Sequence, residues 1–419
     1  MTTERKKTRR ANGEGSITQR KDGRWQGYVI TGYDPENNQV KKQYFYAKSK
    51  KELADKMRAV QGQVSTGAYQ EPSKLRVADW FNLWINEYQK QSLRPTTWES
   101  YKMQLDKHIL PAIGHLHLTQ LQTYHLQTLY NDKQKDGARL DGKPGPLSPR
   151  SVRYIHMICH AALEQAKKEG KLLINPADAV KLPHDPRKEI KFLDTDQVKT
   201  FLSAARETKH FAAYFMALNT GLRRGELLGL RWKDVDLKEG SITVNQGLVR
   251  TKEGLSFQEP KTRLSNRTIG ISKEVVNELK FHRRRQMADQ ERIPAALYED
   301  HGLVFCSEDG RPMCPRGFTR HFERIFDRIN RDIERKGEEL EWPAEVTEAA
   351  KIKKVPFHAL RHTFATLCLQ QGTDARTIQE ALGHHKASFT LDVYSGVTKQ
   401  MKQEATSKIG SLLASCLGN

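Results

Sequence analysis

Six residues spread over four stretches of this 419-residue chain could act on a single phosphate: Arg223, Lys261, His358, Arg361, His384 and Tyr394. Arg223 lies in "LNTGLRRGELLGLRWKDVD". There Gly221 should break one helix, and Leu222, Leu227, Leu228 and Leu230 should anchor the next to a core. Arg223 then opens a short helix at its partly exposed N-terminal end, where an anion is favoured. Glu226, one turn on, can clamp a guanidinium. Lys261, in "EPKTRLSNRTIGI", sits at a strand end just before a polar turn. His358 and Arg361, in "VPFHALRHTFATLCLQQG", are three apart on a helix and share a face. Leu360, Phe364, Leu367 and Leu369 supply that helix with positions to bury. In "LGHHKASFTLDVYSGV", Gly383 fits a helix C-terminus, His384 a tight turn, and Tyr394 the far end of a short helical segment.

Taken singly, each has an ordinary reading: a surface Arg–Glu pair, a solvated lysine, a packed tyrosine. Taken together, the set offers many donors and no carboxylate general base. That kit suits a pentavalent phosphorane, which carries extra negative charge, with tyrosine as the attacking oxygen. Each arginine can bind two non-bridging oxygens through its planar fork. A lysine or histidine can protonate the leaving hydroxyl. Guanidinium groups do the charge neutralisation, so no Mg²⁺-binding carboxylate pair is needed. His358 and His362 have a spacing that metals use, but the Glu of a HExxH helix is missing and no Cys follows at finger spacing. No metal and no cofactor are expected.

The elements that position these residues follow from the hydrophobic pattern. Residues 1–70 read as a module of three strands and a helix: "GSITQR", "WQGYVITGY" and "VKKQYFYA", then "KSKKELADKMRAVQ" opened by a capping box of Ser49 and Glu52. This segment holds 15 Lys and Arg against 7 Asp and Glu, a net of 15 − 7 = +8. "STGAYQEPSK" is a linker. Residues 75–180 form an all-helical domain, whose first helix buries Val77, Trp80, Phe81, Trp84, Ile85 and Tyr88 as one stripe. Its second helix, "RPTTWESYKMQLDKHILP", should stop before Pro111, and a third has Ser148 as N-cap and Pro149 at its first position. After the linker "NPADAVKLPHDPRKEIKF", residues 190–419 form a larger, mainly α domain with a small antiparallel sheet near 241–271. The chain is thus mainly α with small β elements, in three domains.

Net charge sharpens the expectation: 70 Lys and Arg against 50 Asp and Glu give +20, which favours a polyanionic partner. Five cysteines without a CxxC disfavour disulfides and a zinc cluster. No 18-residue apolar run and no signal-type N-terminus occur, so a cytoplasmic protein without membrane attachment is expected.

These stretches resemble a known family. "TGLRRGEL", "HALRHTFAT" and "LGHHKASFTLDVY" look like the three motif boxes of the tyrosine recombinases, or phage integrase family, and "PKTRLSNRTI" like its lysine-bearing β-hairpin. Residues 75–180 are similar to the helical, SAM-like core-binding domain, and 1–70 to the arm-binding domain of integrases from temperate phages and conjugative transposons. The resemblance implies a site-specific recombinase that acts on double-stranded DNA at core and arm attachment sites. It implies a homotetramer on DNA and a Holliday junction without ATP, with an excisionase and a host DNA-bending protein as partners. Tyr394 would form the 3′-phosphotyrosyl link. Arg223 and Arg361 would hold the scissile phosphate, Lys261 would protonate the 5′-oxygen, and His358 and His384 would complete phosphate binding and proton handling. Glu226 would be structural. In the N-terminal module, Arg20, Lys21, Arg24, Lys41 and Lys42 are candidate DNA contacts. Rival readings are a Xer-type resolvase or a type IB topoisomerase, both disfavoured by the extra module. A catalytically idle accessory protein is disfavoured by the complete set of six. The charged insertion before the third box, residues 336–354, has no role in this scheme.

Overall fold

Strands β1 (Ser16–Gln19), β2 (Trp25–Tyr33) and β3 (Val40–Ala47) form an antiparallel sheet in the order β1-β2-β3. Helix α1 (Lys50–Ser65) packs on one face, burying Leu53 and Met57 with Val29 and Ala47. Ser49 caps α1 by accepting from the Glu52 N–H, while the Glu52 carboxylate pairs with Lys56 at 2.7 Å. The computed structural model describes residues 16–33, 38–66, 69, 73–186, 190–259 and 266–383. The chain divides into two units, residues 1–186 and 187–419.

The first unit also contains a second, larger core built on α2 (Val77–Leu83), α3 (Pro95–Gln104), α4 (Leu110–Ile113), α5 (Thr123–Lys133) and α6 (Pro149–Lys168). Val77, Trp80, Phe81, Trp84 and Ile85 are fully buried as the stripe requires, and the Trp80 indole donates to the Ala162 carbonyl of α6 at 2.8 Å. Tyr88 departs from expectation at 40% exposure. The helix continues past α2 as a wider π turn over Trp84–Gln89, whose i→i+5 ladder rotates residue 88 off the stripe. A second π turn, Leu105–Ile109, carries the chain from α3 into α4, so Pro111 lies inside helical backbone instead of beyond its end. Proline's missing N–H is tolerated there because the ladder is being re-registered, as in a new first turn. Ser148 and Pro149 cap and open α6 as expected.

The second unit packs α7 (Thr195–Ala205), α8 (Phe211–Thr220), α10 (Lys273–Arg292) and α11 (Pro315–Glu339) round a core that includes Phe201, Tyr214, Phe322, Phe326 and Phe357. The single expected sheet is two. Strands β4 (Val235–Asp236), β5 (Ser241–Val244) and β8 (Arg267–Gly270) form one, in the order β4-β5-β8. Strands β6 (Gly247–Thr251) and β7 (Gly254–Gln258) form the other, because the run "GSITVNQGLVR" breaks at Asn245 and Gln246. Those two side chains turn instead to Asp234 and to the Gly229 carbonyl. Within the 336–354 insertion, α12 (Ala344–Ala350) folds back on α11, with Gly337 so close to Thr347 that a Cβ would overlap it. Helices α13 (Ala359–Gln370) and α14 (Ala375–Leu382) share a small core of Ala365, Leu369, Ile378 and Leu382.

Candidate active site

Two left-handed glycines shape the site. Gly221 ends α8 at φ +62°, and a Cβ there would lie 2.5 Å from Leu382 and 2.6 Å from Phe364. Only glycine allows α13 and α14 to sit that close to the end of α8. Gly383 ends α14 at φ +63°. Between Gly221 and the five-residue helix α9 (Arg224–Leu228) the chain is extended, and Arg223 occupies the N-cap position.

Three arginines converge on the last turn of α14, each taking a different carbonyl. Arg267 donates through Nε to Ala381 at 2.6 Å, Arg361 through Nη2 to Leu382 at 2.5 Å, and Arg223 through Nη2 to Gly383 at 3.5 Å. Carbonyls at a helix C-terminus lack partners of their own and carry the negative end of the dipole, so cations are favoured there. Arg361 is only 2% exposed and also donates through Nη1 to the Gly221 carbonyl at 2.8 Å. Its guanidinium therefore ties the end of α8 to the end of α14.

Glu226 is the counterweight. Its carboxylate accepts from the Arg223 N–H at 3.0 Å, Arg223 Nη1 at 2.7 Å and Arg267 Nη2 at 3.0 Å. Burial by itself would raise this carboxyl, but the charge and hydrogen bonds of Arg267, then of Arg223, hold it below the usual value. Three guanidiniums and one carboxylate leave 3 − 1 = +2 among these described residues. A closely packed surplus of this kind is stabilised by an anion. His358 is exposed at the N-cap position of α13, its ring perpendicular to that of His362 at 4.9 Å. Partial desolvation and then the nearby Arg361 and Arg223 charges lower its pKa, which favours the neutral imidazole.

The structure brings Arg223, Arg361 and His358 within electrostatic reach of one another, with Glu226 clamping the Arg223 guanidinium as the sequence suggested. Lys261, His384 and Tyr394 lie outside the described residues. Arg267 was missed, although strand alternation contains the signal. It pairs with Val244 across β5 and β8 and shares the inward face with Ile269, which makes it a buried arginine. Among the described residues, no group of His, Cys, Asp and Glu could hold a metal ion.

In the N-terminal sheet, alternation divides the proposed basic contacts. Lys42 shares the face away from α1 with Tyr28, Tyr44 and Tyr46, and its ammonium lies 4.8 Å from the Tyr28 ring centroid. Lys41 points to the other face. Arg20 and Arg24, at the β1–β2 turn, both approach Asp22, and Lys21 is exposed in that turn.

Comparison with known proteins places this geometry. The model of the phage integrase family matches residues 191–401, and that of the phage integrase N-terminal SAM-like domain matches residues 77–134. The chain is 24% identical to the ICEBs1 integrase of Bacillus subtilis, over 95% of this chain and 100% of that one. It is 25% identical to a XerC-like tyrosine recombinase of Caldanaerobacter subterraneus, over 92% and 95% respectively. Among solved structures, the Tn1549 transposon integrase bound to transposon right-end DNA superposes with a TM-score of 0.61 at 22% identity. It covers 79% of this chain and all of that one. A lambda integrase dimer bound to a core site superposes at 0.52 and 16% identity, over 92% and 96%.

Proposed function

Because the chain belongs to the phage integrase family and is a site-specific DNA recombinase of the tyrosine type, we propose that it integrates a phage or conjugative element through a covalent phosphotyrosyl intermediate. The observation that carries the proposal is the arginine cluster with its surplus of positive charge, Arg223 and Arg361 held on carbonyls at the end of the helix that precedes His384. Arg223 and Arg361 neutralise the non-bridging oxygens of the scissile phosphate, where charge grows in the pentavalent transition state. The Tyr394 hydroxyl attacks phosphorus, the 3′-phosphotyrosyl bond forms, and the bond to the 5′-oxygen breaks. Lys261 gives that oxygen its proton. His358 and His384 accept and relay the tyrosine proton. One phosphodiester replaces another, so religation needs no ATP, and paired exchanges pass through a Holliday junction.

Within this scheme residues 1–70 engage arm sites, residues 75–180 engage the core site, and residues 190–419 carry out catalysis. The tyrosine face around Lys42 is the arm-reading surface. The working assembly is a homotetramer on DNA in the bacterial cytoplasm, assisted by an excisionase and a host DNA-bending protein. The three-stranded N-terminal sheet ahead of the helical core-binding region favours this reading over a Xer-type resolvase. The test is in vitro recombination between two plasmids carrying full attachment sites, without ATP. Full-length protein recombines them. Protein lacking residues 1–70 still cleaves isolated core sites but does not recombine. Equal recombination by both proteins would contradict the integrase assignment.

A further inference from the structure

We infer that Arg267 is a positioning residue for phosphate activation, holding Glu226, and through it Arg223, against the last turn of α14. This rests on the reading that Arg223 neutralises the scissile phosphate. The geometry is specific. The Arg267 side chain is 7% exposed and, among the described residues, reaches Glu226 of α9 at 3.0 and 3.4 Å and the Ala381 carbonyl of α14 at 2.6 Å. Removing a guanidinium from water is expensive, and such a side chain persists where its donors are matched.

Charge explains why a second arginine is needed. Glu226 alone with Arg223 would cancel the charge that a phosphate requires. With Arg267 on its other side, one carboxylate is shared between two guanidiniums, and Arg223 keeps net charge for the substrate. Geometry adds a second role. Gly383, whose carbonyl meets Arg223, and Leu382, whose carbonyl meets Arg361, follow Ala381 directly. Arg267 thus fixes the turn on which both phosphate-binding arginines are aligned. It also stands six residues beyond Lys261 in the sequence, at the start of β8. Lysine cannot replace it, since a point charge cannot serve a carboxylate and a carbonyl through three coplanar nitrogens.

The test measures single-turnover cleavage of a suicide core-site oligonucleotide by the full chain at saturating DNA. Two versions of the scissile linkage are used, a phosphodiester and an uncharged methylphosphonate. On the phosphodiester, Arg223→Ala should be slower than wild type by about 10²-fold or more, as for loss of one preorganised donor. Arg267→Met should lose about 10- to 100-fold, the scale of a misplaced catalytic group. The methylphosphonate lacks the charge that Arg223 neutralises. Both defects, each taken relative to wild type on the same substrate, should therefore shrink by at least about tenfold. Arg267→Lys, which keeps the charge and is the fallback should the Met variant fold poorly, should retain most of the defect and show the same shrinkage. If the Arg223→Ala defect shrinks and the Arg267→Met defect does not, Arg267 is only scaffold and the inference is overturned while the functional reading stands. If the Arg223→Ala defect does not shrink either, the reading fails and the inference with it. Full activity of Arg267→Lys would overturn the bridging role.

Discussion

Replacing Glu226 with glutamine isolates the electrostatic centre of the site, because volume is kept and only charge and one acceptor are lost. The carboxylate accepts from the Arg223 N–H, Arg223 Nη1 and Arg267 Nη2 at 2.7–3.0 Å. Whichever way the amide turns, its NH2 meets at least one of these donors. The two guanidiniums lose this counter-charge at a position where the Glu226 side chain is 10% exposed. Breaking a buried pair from one side costs about 3–5 kcal/mol. Loss of roughly half of three charge-assisted hydrogen bonds, at about 1.5–3 kcal/mol each, gives the same order. A loss of about 4 kcal/mol lowers the melting temperature of a unit of this size by about 8–16 °C. Differential scanning calorimetry of the full chain reads this as a shift of one transition, with the transition of the first unit unmoved. The folded Glu226 carboxyl lies below its unfolded value of 4.5, so its contribution is fully present above that pH and is lost as pH falls through the folded value. The gap between wild type and Glu226→Gln should therefore be constant from pH 8 to about 5.5. A shift below about 2 °C would refute the network as a paired, desolvated unit.

Acid should weaken the second unit before carboxylates titrate. Burial pushes His210 and His362 down to about 4 from 6.5, so between these values the unfolded chain binds protons that the fold excludes. Stability then falls with pH by about 2 kcal/mol per histidine between pH 7 and 5, and urea midpoints should show it. Midpoints unchanged over that range would contradict the burial. Gly221→Ala forces a side chain into left-handed backbone and against Leu382 and Phe364, which should cost about 2–5 kcal/mol in the same calorimetric transition. A cost under about 1 kcal/mol would mean that α13 and α14 do not press on the end of α8. In the N-terminal sheet, Lys42→Ala should reduce the salt dependence of arm-site binding by about one phosphate contact, a slope change of roughly 0.9, and Lys41→Ala should not. Equal effects of the two would reject the tyrosine face as the arm-reading surface.

Much of this arrangement was legible because it is local. Gly221 and Gly383 announced helix ends, Ser148 and Pro149 a helix start, and alternation the three N-terminal strands. Arg223 and Glu226 were paired by a spacing of one turn. What escaped the sequence is set by contacts between distant segments. Arg361 meets Gly221 across 140 positions and Arg267 meets Ala381 across 114, and no periodicity encodes a guanidinium choosing a carbonyl so far away. The π turns that displaced Tyr88 and accommodated Pro111 likewise depend on how the helices settle against one another. Arg267 stands between these cases. Its inward position could be read from the strand, and its partners could not.

The proposed chemistry turns on Tyr394 being the nucleophile in a site whose arginines are already assembled. The most direct measurement is to trap the protein on a nicked suicide oligonucleotide carrying the core site, digest the denatured adduct, and map the DNA-bearing peptide by mass spectrometry. A nucleotide joined through a 3′-phosphate is expected on Tyr394. Tyr394→Phe should bind the same DNA with unchanged affinity and give no adduct. An adduct on any other residue, or one that survives in Tyr394→Phe, would contradict this assignment.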